Sequence, residues 1–261
     1  MPQAHGRPCW YDLMTSDTAG AKAFYGEVFN WTTNYVEPPM DYTMWAIPGQ
    51  EMPFGGLETL PAEAKAMGAP NHWLAYFNVD DVDTTAALAE ELGGRVLMSA
   101  KDIPDAGRFA VIADPQGAAF ALFTSTRDAP EDEQKSAGSF CWHELNSTDG
   151  VAAQKFYVDL FGWAETASFD MGPELGVYWM FGLRGATYGG MSGAAKVTGA
   201  PPHWLLYVQV ADVDEAAARV KAQGGAVLNG PMDVPGGGRV AQCYDPQGAA
   251  FGVSQPAPAE E

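Results

Sequence analysis

Two carboxylates and two histidines recur at matched places in this chain: Asp12 and His72 in its first half, Glu144 and His203 in its second. A carboxylate within hydrogen-bond reach of an imidazole fixes the ring tautomer and raises its basicity. That equipment suits proton abstraction next to a carbonyl, so these four are the candidate catalytic residues. The same histidines have a plainer reading. Each opens an apolar run and precedes a tryptophan, Trp73 or Trp204, against which it can stack while bonding a backbone carbonyl. A third reading places a divalent ion at Glu144 and His203 with waters, a weak site because only two side chains contribute. All three stay open at this point.

Aromatic residues surround these groups. Side chains two apart on a strand share a face, so Trp10 goes with Asp12 and Trp142 with Glu144. Leu74 goes with His72 and Tyr76, and Leu205 with His203 and Tyr207. Middle strands add Tyr42, Met44 and Trp45 in the first half, and Tyr178, Met180 and Phe181 in the second. Apolar walls with few polar groups are the usual make-up of a small-molecule site. The expected ligand-binding residues are therefore Trp10, Tyr42, Trp45, Tyr76, Trp142, Tyr178, Phe181 and Tyr207. Arg108 and Arg239, each after a glycine, complete the set as repeated cations able to hold an anionic group at the rim. Phe24, Tyr25, Phe29 and Trp31 fall at helical spacing and read as core. Trp73, Trp204 and His143 alternate to the helix side.

The elements that carry these residues are written twice. Residues 72–97 reappear as 203–228, and Asp114-Pro-Gln-Gly-Ala-Ala-Phe120 recurs letter for letter at 245–251. Trp10-Tyr-Asp-Leu, then Phe24-Tyr25 and Trp31, is answered by Trp142-His-Glu-Leu, Phe156-Tyr157 and Trp163. Within a copy, residues 9–14 read as a strand. Asp17 or Thr18 can cap a helix, and short strands follow at 42–47 and 54–57. A strand at 72–79 leads to a helix capped by Asp81 or Asp83 and ended by Gly93-Gly94. Strands at 96–98, 109–113 and 118–124 close the copy, the last after an Asp-Pro-Gln-Gly turn. The order strand, helix, three strands thus occurs four times. Domain one is expected over 7–126, a proline-containing linker over 127–138, and domain two over 139–255. Gly55-Gly56 and Gly189-Gly190 lack a phosphate-cradle pattern and read as bends or bulges.

Bulk properties narrow the partners. The chain has 261 residues, 47% of them hydrophobic, enough for two packed domains. Lys plus Arg number 14 against 33 Asp plus Glu, a net charge of −19 that repels phosphate backbones and anionic lipid. Nucleic acid and membrane are excluded as expected partners. No apolar run approaches spanning length, and no secretory signal is visible. The three cysteines, Cys9, Cys141 and Cys243, lack framework or zinc spacing and point to reduced thiols and a cytoplasmic location. A bridge between the equivalent Cys9 and Cys141 is the disfavoured alternative.

Phe-Tyr in the first helix, Val-x-Asp-Val-Asp before the second, Gly-Gly after it and Asp-Pro-Gln-Gly before the last strand together resemble the vicinal oxygen chelate superfamily. That group includes glyoxalase I, bleomycin-resistance proteins and extradiol dioxygenases. The resemblance implies an α+β fold of two tandem glyoxalase-like domains. Each is a pair of βαβββ units whose mixed sheet curls into a cup with helices outside. It also implies metal ligands at three positions per copy, which fall here on Trp10, Leu74 and Ala121, and on Trp142, Leu205 and Gly252. A divalent ion needs three or more oxygen or nitrogen donors, and these side chains supply none. No metal and no other cofactor is expected; a divalent ion is the weaker alternative. The expected function is binding, and so sequestering, a small aromatic or amphipathic organic molecule in each cup. The alternative is a glyoxalase-like lyase or isomerase, or a dioxygenase- or hydroxylase-type enzyme. A scaffold with self-filled cups is the third reading. Internal duplication supplies the pairing that single-copy relatives gain by dimerising, so a monomer or weak homodimer is expected.

Overall fold

A computed structural model describes residues 5–38, 40–126 and 136–258. Nine residues of the expected linker, 127–135, lie outside that range. The first repeat runs β1 (Pro8–Thr15), α1 (Thr18–Phe29), β2 (Thr32–Val36), β3 (Tyr42–Ala46), β4 (Gly55–Thr59), a short α2 (Ala62–Ala66), β5 (His72–Asn78), α3 (Val82–Glu91), β6 (Arg95–Ile103), β7 (Gly107–Ala113) and β8 (Ala119–Ser125). The second runs β9 (Phe140–Asn146), α4 (Gly150–Phe161), β10 (Ala164–Asp170), β11 (Val177–Leu183), β12 (Ala186–Ser192), α5 (Ala194–Thr198), β13 (His203–Gln209), α6 (Val213–Ala222), β14 (Ala226–Asp233), β15 (Arg239–Tyr244) and β16 (Ala250–Gln255). The fourfold strand, helix, three-strand order is present. The five-residue helices α2 and α5 are additions that their sequences, one turn each, did not announce.

Two eight-stranded mixed sheets result, in the orders β2-β3-β4-β1-β5-β8-β7-β6 and β10-β11-β12-β9-β13-β16-β15-β14. Local chemistry starts and stops the helices. Of the alternative caps, Asp17 and Asp81 are used; their carboxylates accept the amides of Gly20 and Thr84. Gly93 follows α3 at φ 92°, a left-handed backbone that glycine adopts without steric cost.

The chain forms two compact units, and each takes half of each repeat. One comprises Met1–Cys9, Leu74–Glu133 and His143–Trp204; the other comprises Trp10–Trp73, Gln134–Trp142 and Leu205–Glu261. In the second unit, Tyr25 of α1 donates its hydroxyl to Asp245 at 3.1 Å and accepts the indole N–H of Trp73 at 2.9 Å. Asp245 Oδ1 meanwhile accepts the amides of Gln247 and Ala249. The first unit repeats this device. Tyr157 of α4 donates to Asp114 at 3.1 Å and accepts from Trp204, while Asp114 Oδ1 holds the amides of Gln116, Gly117 and Ala118. The Phe-Tyr and Asp-Pro-Gln-Gly motifs recur because one repeat's tyrosine closes the other repeat's turn. Burial pushes both aspartates and both tyrosines up from their ordinary pKa. Rings pack around each clasp: Phe24, Trp31, Trp45 and Phe251 near Tyr25, and Phe120, Phe161 and Trp163 near Tyr157.

Candidate functional site

Register places the candidate residues. Asp12 of β1 lies opposite Gly56 of β4, Met14 lies opposite Glu58, and Met44 of β3 lies opposite Gly56. Alternation then puts Trp10, Asp12, Met14, Tyr42, Met44 and Glu58 on one face. Asp12 is only 4% exposed. Its Oδ1 accepts the Tyr42 hydroxyl at 2.5 Å and the Trp10 indole N–H at 2.9 Å, and that N–H also lies 2.9 Å from the Tyr42 oxygen. Burial, and then the Asp12 charge, push the Tyr42 phenol up, so it stays a neutral donor. A Cβ on Gly56 would sit 1.7 Å from the Tyr42 hydroxyl and 2.4 Å from Asp12 Oδ1. The Gly-Gly pair is therefore no bulge at this point. It is the floor on which Tyr42 lies to reach Asp12.

The second repeat builds the same pair more loosely. Glu144 of β9 lies opposite Gly190 of β12, and its carboxylate accepts from Tyr178 and Asn146, both at 3.3 Å. A Cβ on Gly190 would meet the Tyr178 ring at 2.2 Å. Trp142 shares the strand face of Glu144 by alternation. Farther along, Tyr207 lies over Gly252 and accepts the Gln242 amide at 2.9 Å. Tyr76, its counterpart, lies opposite Ala121 and 6.1 Å from the Phe109 ring.

Several expected placements are corrected. His72 and His203 do not pair with Asp12 and Glu144. Each donates its Nδ1–H to a carbonyl two residues earlier, Pro70 or Pro201, at 2.8 Å. The prolines deliver the backbone acceptor that the plainer reading expected, but among the described residues neither histidine makes a ring contact with the tryptophan that follows it. Burial lowers the His72 pKa, partly offset by that hydrogen bond, so the ring is neutral at pH 7. Trp45 and Phe181 face the core, being one residue out of phase with Met44 and Met180. Both are 0% exposed; Trp45 packs at 5.6 Å from Trp31 and Phe181 stacks at 4.0 Å on Trp163. Arg108 precedes the inward Phe109, so it points the other way and clasps Asp83 and Asp102 at 2.8 Å. Arg239 does the same with Asp214 and Asp233. Neither arginine is left for a ligand's anionic group.

The set also gains members. Glu58 and Asn146 share the face, and strand alternation would have found Glu58 had β4 been read one residue longer. Among the described residues, no group of three or more His, Cys, Asp or Glu could hold a metal ion. Oδ1 of the buried Asp12 already accepts an N–H and an O–H donor. The donor set does not fit a divalent ion. None of the three cysteines is in a disulfide, and burial raises the Cys243 thiol to about 12. No helix among the described residues is long and apolar enough to cross a membrane.

Sequence comparison matches the pattern of the Glyoxalase/Bleomycin resistance protein/Dioxygenase superfamily to residues 8–122 and again to 141–253. The chain belongs to this superfamily. It is 35% identical to CFP32 of Mycobacterium tuberculosis, whose name carries only a provisional glyoxylase assignment, over 97% of this chain and 96% of that protein. It is 34% identical to the anthracycline biosynthesis protein DnrV of Streptomyces peucetius, over 96% of this chain and 93% of that protein. Among solved structures, the Mn(II)-bound glyoxalase of Novosphingobium aromaticivorans superposes with a TM-score of 0.67 at 16% identity, covering 98% of this chain and 83% of that one. The 2,2',3-trihydroxybiphenyl 1,2-dioxygenase of Sphingomonas wittichii gives 0.65 at 17%, covering 98% and 91%. At such identities these two structures establish the fold.

Proposed function

We propose that this superfamily member binds a planar aromatic small molecule, without a resident metal, on the face carrying Trp10, Asp12, Tyr42 and Met44. One observation carries the reading: a nearly fully buried carboxylate is held by an indole and a phenol that themselves form the ligand-facing wall. Such a wall offers ring-stacking area at low entropic cost, because its side chains are already fixed. The Glu144–Tyr178 pair supplies a second, looser wall. Relatedness to DnrV supports polycyclic aromatic ligands, and relatedness to a superfamily that includes bleomycin-resistance proteins supports sequestration. Three cysteines without a disulfide support a reducing, cytoplasmic compartment, and clasps built within one chain support a monomer.

Calorimetry of the full chain against a panel of fused-ring aromatic ketones and phenols tests this, paired with elemental analysis of protein purified without chelator. Micromolar binding, unchanged by EDTA and abolished in Trp10→Ala, is expected. Stoichiometric metal whose removal abolishes binding would sink it. The glyoxalase-like lyase or isomerase remains the second reading because of the relatedness to CFP32. Turnover of a small carbonyl compound that survives in His72→Ala but not in Asp12→Asn would favour it.

A further inference from the structure

On the face just described, the cross-strand pair next to each carboxylate differs in kind between the two repeats. In the first, β1 and β4 set Met14 opposite Glu58; in the second, β9 and β12 set Asn146 opposite Ser192. Asn146 turns its amide to Glu144, giving that carboxylate a neutral donor. Met14 has no such group. Asp12 has a second carboxyl for a neighbour instead.

The two carboxyls of the first repeat are not equivalent. Asp12 is nearly fully buried, and its negative charge is supported by the Trp10 N–H and the Tyr42 O–H. Glu58 is half-buried, and no hydrogen-bond donor or acceptor among the described residues reaches it. No cation faces it within its own sheet half either. β1 presents Trp10, Asp12 and Met14, β3 presents Tyr42 and Met44, and β2 presents Asn34 and Val36, by register with β3. Lys65 of α2 and the neutral His72 at the start of β5 leave no mark on it; burial and Asp12 act on it and raise it to about 7. Two carboxyls sharing an apolar face do not both ionise readily, and the one without donors keeps the proton. A protonated carboxyl is an O–H donor, and this one has nothing to donate to.

We propose that Glu58 determines which ligand lies on this face: it offers a hydrogen bond to an uncharged carbonyl or quinone oxygen of an aromatic molecule stacked on the Trp10–Tyr42 wall. This rests on the aromatic-ligand reading and narrows it to neutral aromatic carbonyl compounds. A ligand carboxylate is opposed by Asp12. A plain hydrocarbon leaves the donor unmet, which costs affinity.

Four ligands of one shape test it by calorimetry on the full chain from pH 6 to pH 8.5: fluorenone, fluorene, fluorene-9-carboxylate and the 9-fluorenylammonium ion. Fluorenone is expected to bind about fivefold more tightly than fluorene at pH 6, the worth of one neutral hydrogen bond. That advantage fades as pH rises through about 7, and binding above that pH takes up a proton, visible as a buffer-dependent heat. Glu58→Gln, which keeps an N–H donor, should retain the preference and lose its pH dependence. Glu58→Ala should bind fluorenone and fluorene alike. Preference for the ammonium ion with proton release would overturn the proposal and make the carboxyl pair a cation site. Equal binding of all four would overturn it while leaving the aromatic-ligand reading intact. Failure of all four to bind would sink both.

Discussion

At the scale of single residues, the first-repeat site depends on a glycine as much as on its acids. Tyr42 reaches Asp12 because position 56 has no side chain, and the same holds for Tyr178 over Gly190. Gly56→Ala must push the tyrosine off its hydrogen bond, and a cost of about 1–3 kcal/mol is expected from such crowding. Tyr42→Leu removes the obstructed hydroxyl. The double variant should therefore be more stable than the sum of the two single losses predicts, measured as chemical unfolding midpoints in a double-mutant cycle. Strict additivity would mean that Tyr42 does not lie on the glycine. Asp12→Asn addresses the neighbouring charge. It removes the charge that, with burial, holds Glu58 near 7, so the Glu58 carboxyl should titrate nearer its ordinary range in ¹³C NMR. The sign for stability follows. A carboxyl raised on folding contributes stability at acid pH that is lost as pH rises toward about 7. Asp12→Asn should flatten that loss between the ordinary glutamate pKa of 4.5 and about 7.

At the scale of strands and helices, one period decides what the sequence revealed. Four βαβββ units, their caps and the glycine stop after α3 were legible because each rests on local chemistry: a carboxylate for free amides, or a left-handed backbone. Asp12 was legible beside Trp10 by the same two-residue alternation, whereas Tyr42 was named with its middle strand as a whole. Trp45, Phe181, Arg108 and Arg239 were misplaced where that alternation was not applied strictly, each being one residue out of phase with its inward neighbour. The histidines failed for a different reason. A backbone acceptor two residues back competes with any distant carboxylate, and Pro70 and Pro201 place one at 2.8 Å. The arginine placement gives a sharp expectation. Because Arg108 is committed to Asp83 on α3 and Asp102 on β6, Arg108→Ala should leave affinity for aromatic ligands within about twofold of the parent, a change too small for a lost charged hydrogen bond. A tenfold loss in calorimetry would return Arg108 to the ligand site.

At the scale of the whole chain, each compact unit is half one repeat and half the other, and its centre is a tyrosine closing a turn that belongs to the opposite copy. The aspartates in those turns are buried and raised, so their charged form is a burden in the folded state. Asp114→Asn keeps an oxygen for the three backbone amides but sets an N–H₂ against the Tyr157 hydroxyl, which loses its acceptor, so it should lose some stability, though less than Asp114→Ala. Asp114→Ala leaves three amides and a hydroxyl without an acceptor and should be strongly destabilised. The identity of residues 114–120 and 245–251 carries this further. A first repeat expressed alone has its own Asp114 turn and its own Tyr25, yet in the parent chain Tyr25 is satisfied by Asp245. Two copies of the isolated repeat can satisfy each other, Tyr25 of each entering the Asp114 turn of its partner. The isolated repeat is therefore expected as a dimer by light scattering, falling to an unfolded monomer on dilution or in Tyr25→Ala. A folded, monodisperse monomer would show that each repeat closes its own core, and that the exchange of halves is dispensable for folding.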